Sequence, residues 1–172
     1  MNRLSIILVG IFLAFAFSSC EEDRHLDWRF INMQWLEQQK ARLCDETGEK
    51  FWTETESGLL FRVINEGIGN NDFTGRPSNR SWVVIKYEGK FLNNFSFDDR
   101  FRPNNEDNLE YGNSLTGFVP GFQEALRMMR QNAIIDVIIP YELGYGSDGM
   151  GAAIPPYSVI QFRIEMVRFF SE

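Results

Sequence analysis

The sequence predicts an α+β domain in which a curved antiparallel sheet wraps over one helix. Three observations carry this. Several segments alternate apolar and polar residues at the two-residue strand period, and the last, "SVIQFRIEMVRF", does so most clearly. A single downstream segment, "PGFQEALRMM", has helical periodicity instead, with Phe122, Ala125, Leu126 and Met129 on one face. The 172 residues are 44% hydrophobic, enough for one core that strands and helix must share.

Taken in order, residues 1–19 lie outside that fold. Met1-Asn2-Arg3 gives a positive start and "LSIILVGIFLAFAF" an apolar run of signal-peptide length, short of a membrane span of about 20 residues. Ser18-Ser19-Cys20 then resembles a bacterial lipoprotein box, whose cysteine is lipidated and heads the mature chain. Phe17 departs from the usual aliphatic residue, and an ordinary cleaved signal or a transmembrane anchor is the alternative. The acidic Glu21-Glu22-Asp23 is similar to the surface-export signal of Bacteroidetes lipoproteins. With Cys20 lipidated, Cys44 is left without a partner for a disulfide.

Residues 20–56 read as an acidic tether and a helix. The stretch 24–45 lacks Gly and Pro, and it places Trp28, Ile31 and Trp35, and Leu26, Phe30 and Met33, at helical spacings. "DETGEK" ends the helix, with Gly48 as the stop. Residues 57–172 form the domain proper. "GLLFRVINEG" is a strand that breaks at Gly67, "NDFTGRPSNR" a loop, and "SWVVIKYEGKF" a strand with Val83, Ile85 and Tyr87 on one face. Pro120 marks the start of the short helix, and "AIIDVIIP" and the closing segment supply further strands.

Composition excludes several chemistries. The net charge of -7 argues against nucleic acid as a partner. His25 is the only histidine and lies in the N-terminal segment, which leaves no histidine-based triad and no histidine-ligated zinc site. Gly144, Gly146 and Gly149 spell a dinucleotide-binding G-x-G-x-x-G. Such a loop must open a helix, and Pro155-Pro156 forbids one here.

The stretch "IPYELGYG…AAIPP", followed by "VIQFRIEM", resembles the C-terminal half of FKBP-type peptidyl-prolyl cis-trans isomerases. "VVIKYEGKF" is similar to the strand carrying that family's pocket tyrosine, and Phe97-Asp98 follows Tyr87 at the family's interval of ten residues. "FVPGFQEALRMM" resembles the turn and helix of the pocket floor, and "SGLLFRVINEGIG" the family's first strand. The likeness spans residues 57–170.

The resemblance implies a half-barrel of five or six strands around one helix, and isomerase activity on proline-containing polypeptides without metal or cofactor. It implies aromatic walls at Tyr87, Phe97, Phe122 and Phe162, an apolar rim at Phe118 and Val119, and Ile154 closing the pocket. Val119 would also offer its N–H to the peptide. Asp98 would be a buried carboxylate beside Tyr87, partnered by Arg100 or Arg102, and Tyr145 would direct its hydroxyl to the substrate carbonyl. Phe122 stands where many members have Trp, Met150 where many have His, and Ala153 is smaller than usual. These departures bear on substrate preference and on macrolide binding. A second reading is a non-catalytic FKBP-like chaperone or docking module, which exposed tryptophans at positions 28 and 35 would favour. Anchored through lipid on Cys20, either form would reside at the outer membrane of the cell envelope, periplasmic or surface-exposed.

Overall fold

A computed structural model describes residues 19–67, 75–100 and 110–170, with side chains from Leu26 onward. The signal-like run therefore lies outside the described residues, as do the Cys20 side chain and Arg102.

Among the described residues one helix, α1 (Ser19–Ala41), precedes seven strands: β1 (Thr53–Glu54), β2 (Leu60–Asn65), β3 (Trp82–Lys90), β4 (Ser96–Asp99), β5 (Tyr111–Ser114), β6 (Ile134–Ile139) and β7 (Ile160–Phe170). A second helix, α2 (Pro120–Met128), lies between β5 and β6. The strands form a single antiparallel sheet in the order β1-β2-β6-β7-β3-β4. The N-terminal half of β3 pairs with β5 and its C-terminal end with β4. The count exceeds the expected five or six because β1 adds a two-residue edge and one edge of β3 is divided between two short strands.

The alternation in β2, β6 and β7 sorts side chains to the two faces of the sheet. Leu59, Val83, Ile85, Val137, Ile139, Ile160, Phe162 and Ile164 meet Phe122, Ala125, Leu126 and Met129 of α2 in the main core. Helix α2 starts at Pro120, where a missing N–H is harmless, with Val119 as its extended N-cap. Gly121 lets the helix approach β6; a Cβ there would lie 2.6 Å from Ile139 Cγ2. Leu60 and Ile138, on the opposite face, join Leu36, Trp52 and Val159 in a second cluster beneath α1. Beside it Asp136 accepts hydrogen bonds from Arg62 (2.9 Å) and Arg163 (2.7 and 3.0 Å).

One expectation for the N-terminal segment needs correction. The helix ends at Ala41 rather than at residue 45, because Leu43 bridges Lys50 and the Cys44 N–H donates to the Glu49 carbonyl, turning the chain back. Of the residues at helical spacings, Trp28 and Trp35 pack against the core clusters. Trp28, Asn32 and Leu36 face inward, whereas Leu26, Phe30, Ile31 and Met33 are exposed. A polar residue occupies the middle of the packed stripe, where periodicity of apolar residues cannot find it.

Candidate active site

The main core opens between α2, β4 and the loop following β6 into a cavity of about 380 Å³. Its walls are built from strand and helix positions. Phe122, in the first turn of α2, is 3% exposed and forms the floor, stacked on Phe118 at 4.9 Å. Phe162 from β7 stands edge-on to Phe122 at 4.9 Å and to Phe97 of β4 at 5.7 Å. Tyr87 from β3 meets Phe122 (5.9 Å), Phe162 (6.0 Å) and Tyr111 (6.0 Å), all near-perpendicular. Edge-to-face rings of this kind fix one another beyond simple area burial.

The polar groups lie at the rim. The Tyr87 hydroxyl donates to Asp98 Oδ2 at 2.6 Å. Burial first, and the Asp98 carboxylate second, push the Tyr87 phenol well above the ordinary tyrosine value, so it stays a neutral donor. Arg100 Nε lies 3.8 Å from Asp98 Oδ1, an ion pair too long for a hydrogen bond, and its guanidinium faces the Tyr111 ring at 5.1 Å. The Asp98 side chain is 41% exposed, so the expectation of a buried carboxylate is corrected. It sits on the short edge strand β4, which no further strand among the described residues covers.

The loop from Pro140 to Val159 forms the other side of the mouth. A 3-10 turn at Tyr141–Leu143 leads through Gly146 and Gly149, both at positive φ, to the Met150–Ile154 bridge. Gly149 is obligatory, since a Cβ there would fall on the Ile154 carbonyl and the Pro155–Pro156 backbone. Among the described residues no helix follows these glycines, and the nucleotide-loop spelling has no structural counterpart there. Tyr145 is half-buried, and burial, then the negative charge of Asp98, raises its phenol above the usual range. Among the described residues its hydroxyl has no hydrogen-bond partner.

Tyr87, Phe97, Asp98, Phe118, Val119, Phe122, Tyr145, Ile154 and Phe162 thus all line one cavity, together with the rim residues Met150 and Ala153. Tyr111, Asn113 and Gly117 line it as well and were not expected. Tyr111 sits in a strand of only four residues, too short to show a period. Gly89 is the other omission. It faces Phe162 across β7 and Asp98 across β4, and a Cβ on it would lie 2.6 Å from Phe162 and 2.7 Å from Phe97. A glycine inside a strand is a signal of such close approach.

The family model of FKBP-type peptidyl-prolyl cis-trans isomerases matches residues 74–167, more than half of the chain. The chain belongs to that family. An FKBP-type 22 kDa peptidyl-prolyl cis-trans isomerase of Escherichia coli strain K12 is 36% identical over 113 residues, covering 66% of this chain and 50% of its own. An outer membrane protein MIP of Legionella longbeachae is 25% identical over 111 residues, 64% of this chain and 44% of that one. The crystal structure of FkpA from Escherichia coli superposes with a TM-score of 0.74 at 24% identity, over 99% of this chain and 74% of the other, and shares the fold. This FKBP-type chain spans about half the length of the curated relatives it matches.

Proposed function

We propose that the chain catalyses cis–trans isomerisation of X–Pro bonds in polypeptides, with the proline ring seated among Tyr87, Phe97, Phe122 and Phe162. The observation that carries this is the closed set of perpendicular rings around a cavity whose mouth presents Tyr145 and the Tyr87–Asp98 pair. No covalent bond breaks in the reaction; the barrier of about 18–20 kcal/mol is amide resonance. Twisting the amide removes much of its charge separation, so the transition state loses less than the planar ground state on leaving water for an apolar pocket. That difference is what accelerates the step. The Tyr145 hydroxyl donates to the carbonyl preceding the proline, and the Val119 N–H, which has no acceptor among the described residues, binds the peptide backbone. Tyr87 and Asp98 hold each other and the mouth in place.

A protease-coupled assay on a proline tetrapeptide tests this. Turnover above the uncatalysed rate is expected. Tyr145→Phe, which keeps the ring and removes one hydrogen bond, lowers kcat/KM about three- to tenfold. Phe97→Ala opens a half-buried wall and lowers it further. A wild-type rate equal to background would end the isomerase reading. The docking-module alternative loses the support of exposed tryptophans, since Trp28 packs against the main core and Trp35 against the second cluster, and rests on the altered rim at Met150 and Ala153. The same apolar cavity, with Met150 and Ala153 in its lining, is the place a macrolide would occupy.

The chain is further proposed to act at the cell envelope, lipid-anchored through Cys20 after loss of residues 1–19, with 20–56 as the acidic start, packed helix and first edge strand ahead of an isomerase domain at 57–172. The lipoprotein-like sequence around Cys20 and the outer-membrane name of the Legionella relative support this. Fatty-acid labelling of the expressed chain should vanish in Cys20→Ala, and persistent labelling would contradict it.

A further inference from the structure

Helix α1 touches the cavity's surroundings at both ends of the loop that forms its mouth. Val159, at the loop's far end, donates its N–H to Asn32 Oδ1 at 2.9 Å, and the Asn32 amide donates to the Trp28 carbonyl at 2.8 Å. The Trp28 indole N–H donates to Ser158 Oγ at 3.0 Å, and that hydroxyl donates to the Pro155 carbonyl at 2.7 Å, next to pocket-lining Ile154. Arg29 reaches the near end. It donates to the Tyr141 hydroxyl at 3.3 Å, and its guanidinium lies 4.7 Å from the Tyr157 ring centroid. Tyr157 is held at φ +59, unfavourable for an aromatic residue, with its N–H donating to the Gly146 carbonyl. A second route reaches the pocket wall. Trp28 stands edge-on to Phe91 at 6.1 Å, and Phe91 packs on Phe97 at 4.8 Å.

We propose that Trp28, Arg29 and Asn32 are positioning residues for the proline pocket: α1 clamps both feet of the Pro140–Val159 loop and braces Phe97 through Phe91. The proposal rests on the isomerase reading for its kinetic consequence. A helix packed only to bury area would place an apolar residue at its centre. Asn32 is instead fully buried there, with its oxygen and nitrogen both bonded. Burying an amide is unfavourable unless it is satisfied. Its oxygen goes to the backbone of the loop that carries Tyr145 and Ile154, so the polar residue fixes that loop against the helix. An apolar side chain at position 32 would leave the buried Val159 N–H unpaired.

The test uses Trp28→Phe, which keeps the ring beside Phe91 but removes the indole N–H, and Ser158→Ala, which removes its acceptor. Ser158→Thr is the conservative rescue, and Phe30→Ala, exposed on the same helix, the control. Each of the first two is expected to lower kcat/KM about tenfold, chiefly in kcat, because a misplaced loop is felt in the transition state. The double variant should lose little more than Ser158→Ala alone, because both changes break the Trp28–Ser158 bond and Ser158→Ala already loses the bond to Pro155 as well. Ser158→Thr restores most of the rate and Phe30→Ala leaves it unchanged. Amide exchange supplies an activity-independent readout. The amides of Gly146, Gly149 and Met150 should exchange about tenfold faster while those of β6 and β7 do not change. Equal acceleration in the sheet would make α1 a general stabiliser and overturn the proposal, as would unchanged exchange in the loop. If the wild-type chain turns over no proline peptide, the isomerase reading fails alone, and loop exchange still decides the clamp.

Discussion

Gly89→Ala gives the sharpest test of the pocket, because it adds one methyl group directly between two wall rings. The new Cβ would lie 2.6 Å from Phe162 Cε1 and 2.7 Å from Phe97 Cε2 and Cζ. Carbon atoms in good contact sit about 3.5–4.0 Å apart, so roughly 1 Å must be found. Phe162 cannot easily supply it: it is 6% exposed and pinned by Phe122, Tyr87 and Phe97. Phe97 is half-buried on an edge strand and yields first, moving into the cavity. Overpacking of this kind destabilises by about 1–3 kcal/mol, which in a domain of this size lowers Tm by about 2–4 °C per kcal/mol. A 1 Å displacement of a wall ring lowers kcat/KM about tenfold to a hundredfold. The assay is protease-coupled isomerisation beside thermal unfolding, with Gly75→Ala, whose Cβ would meet nothing within 4 Å, as the neutral control. Gly89→Ala with wild-type turnover and wild-type Tm would refute the argument that close-packed rings at this position define the site.

Other outcomes follow from the electrostatics. In a spectrophotometric titration of the chain's five tyrosines, Tyr87 and Tyr145 should ionise later than the free side chain, and Tyr87→Phe should remove one late transition. Because the folded state raises the Tyr87 pKa, its contribution to stability is complete below the ordinary value of 10.0 and is lost as pH rises beyond it; alkaline unfolding should therefore come earlier, relative to neutral pH, than a Tyr87→Phe variant shows. At the other end of the scale, burial alone would raise the Asp136 carboxyl, but hydrogen bonds from Arg163 and Arg62 outweigh it and hold it below 3.8. Its stabilising share is present above that value and fades as pH falls through the lower folded pKa. Asp136→Asn should lower stability at pH 7 by about 1–2 kcal/mol, the full effect of a charged pair being reduced by the half-exposed arginines. Urea denaturation at pH 7 and pH 3 checks this, and equal losses at both would contradict it.

How far the sequence discloses this molecule depends on which forces shape each part. Strand β7 and helix α2 bury one face each, and burial writes a period into the chain; the fold class was legible there for that reason. The pocket residues were found because a familiar order of aromatics, Phe-Asp pair and glycine loop spans separate elements, not because any one of them stands out. Phe122 or Phe162 read alone is an ordinary core residue. The strands β4 and β5, of four residues each, leave no period, and with them Tyr111 and Asn113 were missed. The half-exposure of Asp98 was missed for a related reason, since an edge position is a property of the sheet and not of the strand.

The hardest part to read was α1, where apolar spacing marked Trp28, Ile31 and Trp35, and Leu26, Phe30 and Met33, while the helix turns Trp28, Asn32 and Leu36 inward and leaves Leu26, Phe30, Ile31 and Met33 exposed. The choice is made by tertiary hydrogen bonds, which have no signature along the chain. Asn32 is favourable inside only because the Val159 N–H lies opposite, 127 positions away. That dependence runs both ways. A buried N–H left unpaired at Val159 would destabilise the end of the loop that carries Tyr145 and Ile154, so the helix and the mouth of the pocket specify each other's geometry. The segment preceding the strands therefore belongs to the pocket's structural support, and removing it should alter the loop before it alters the sheet.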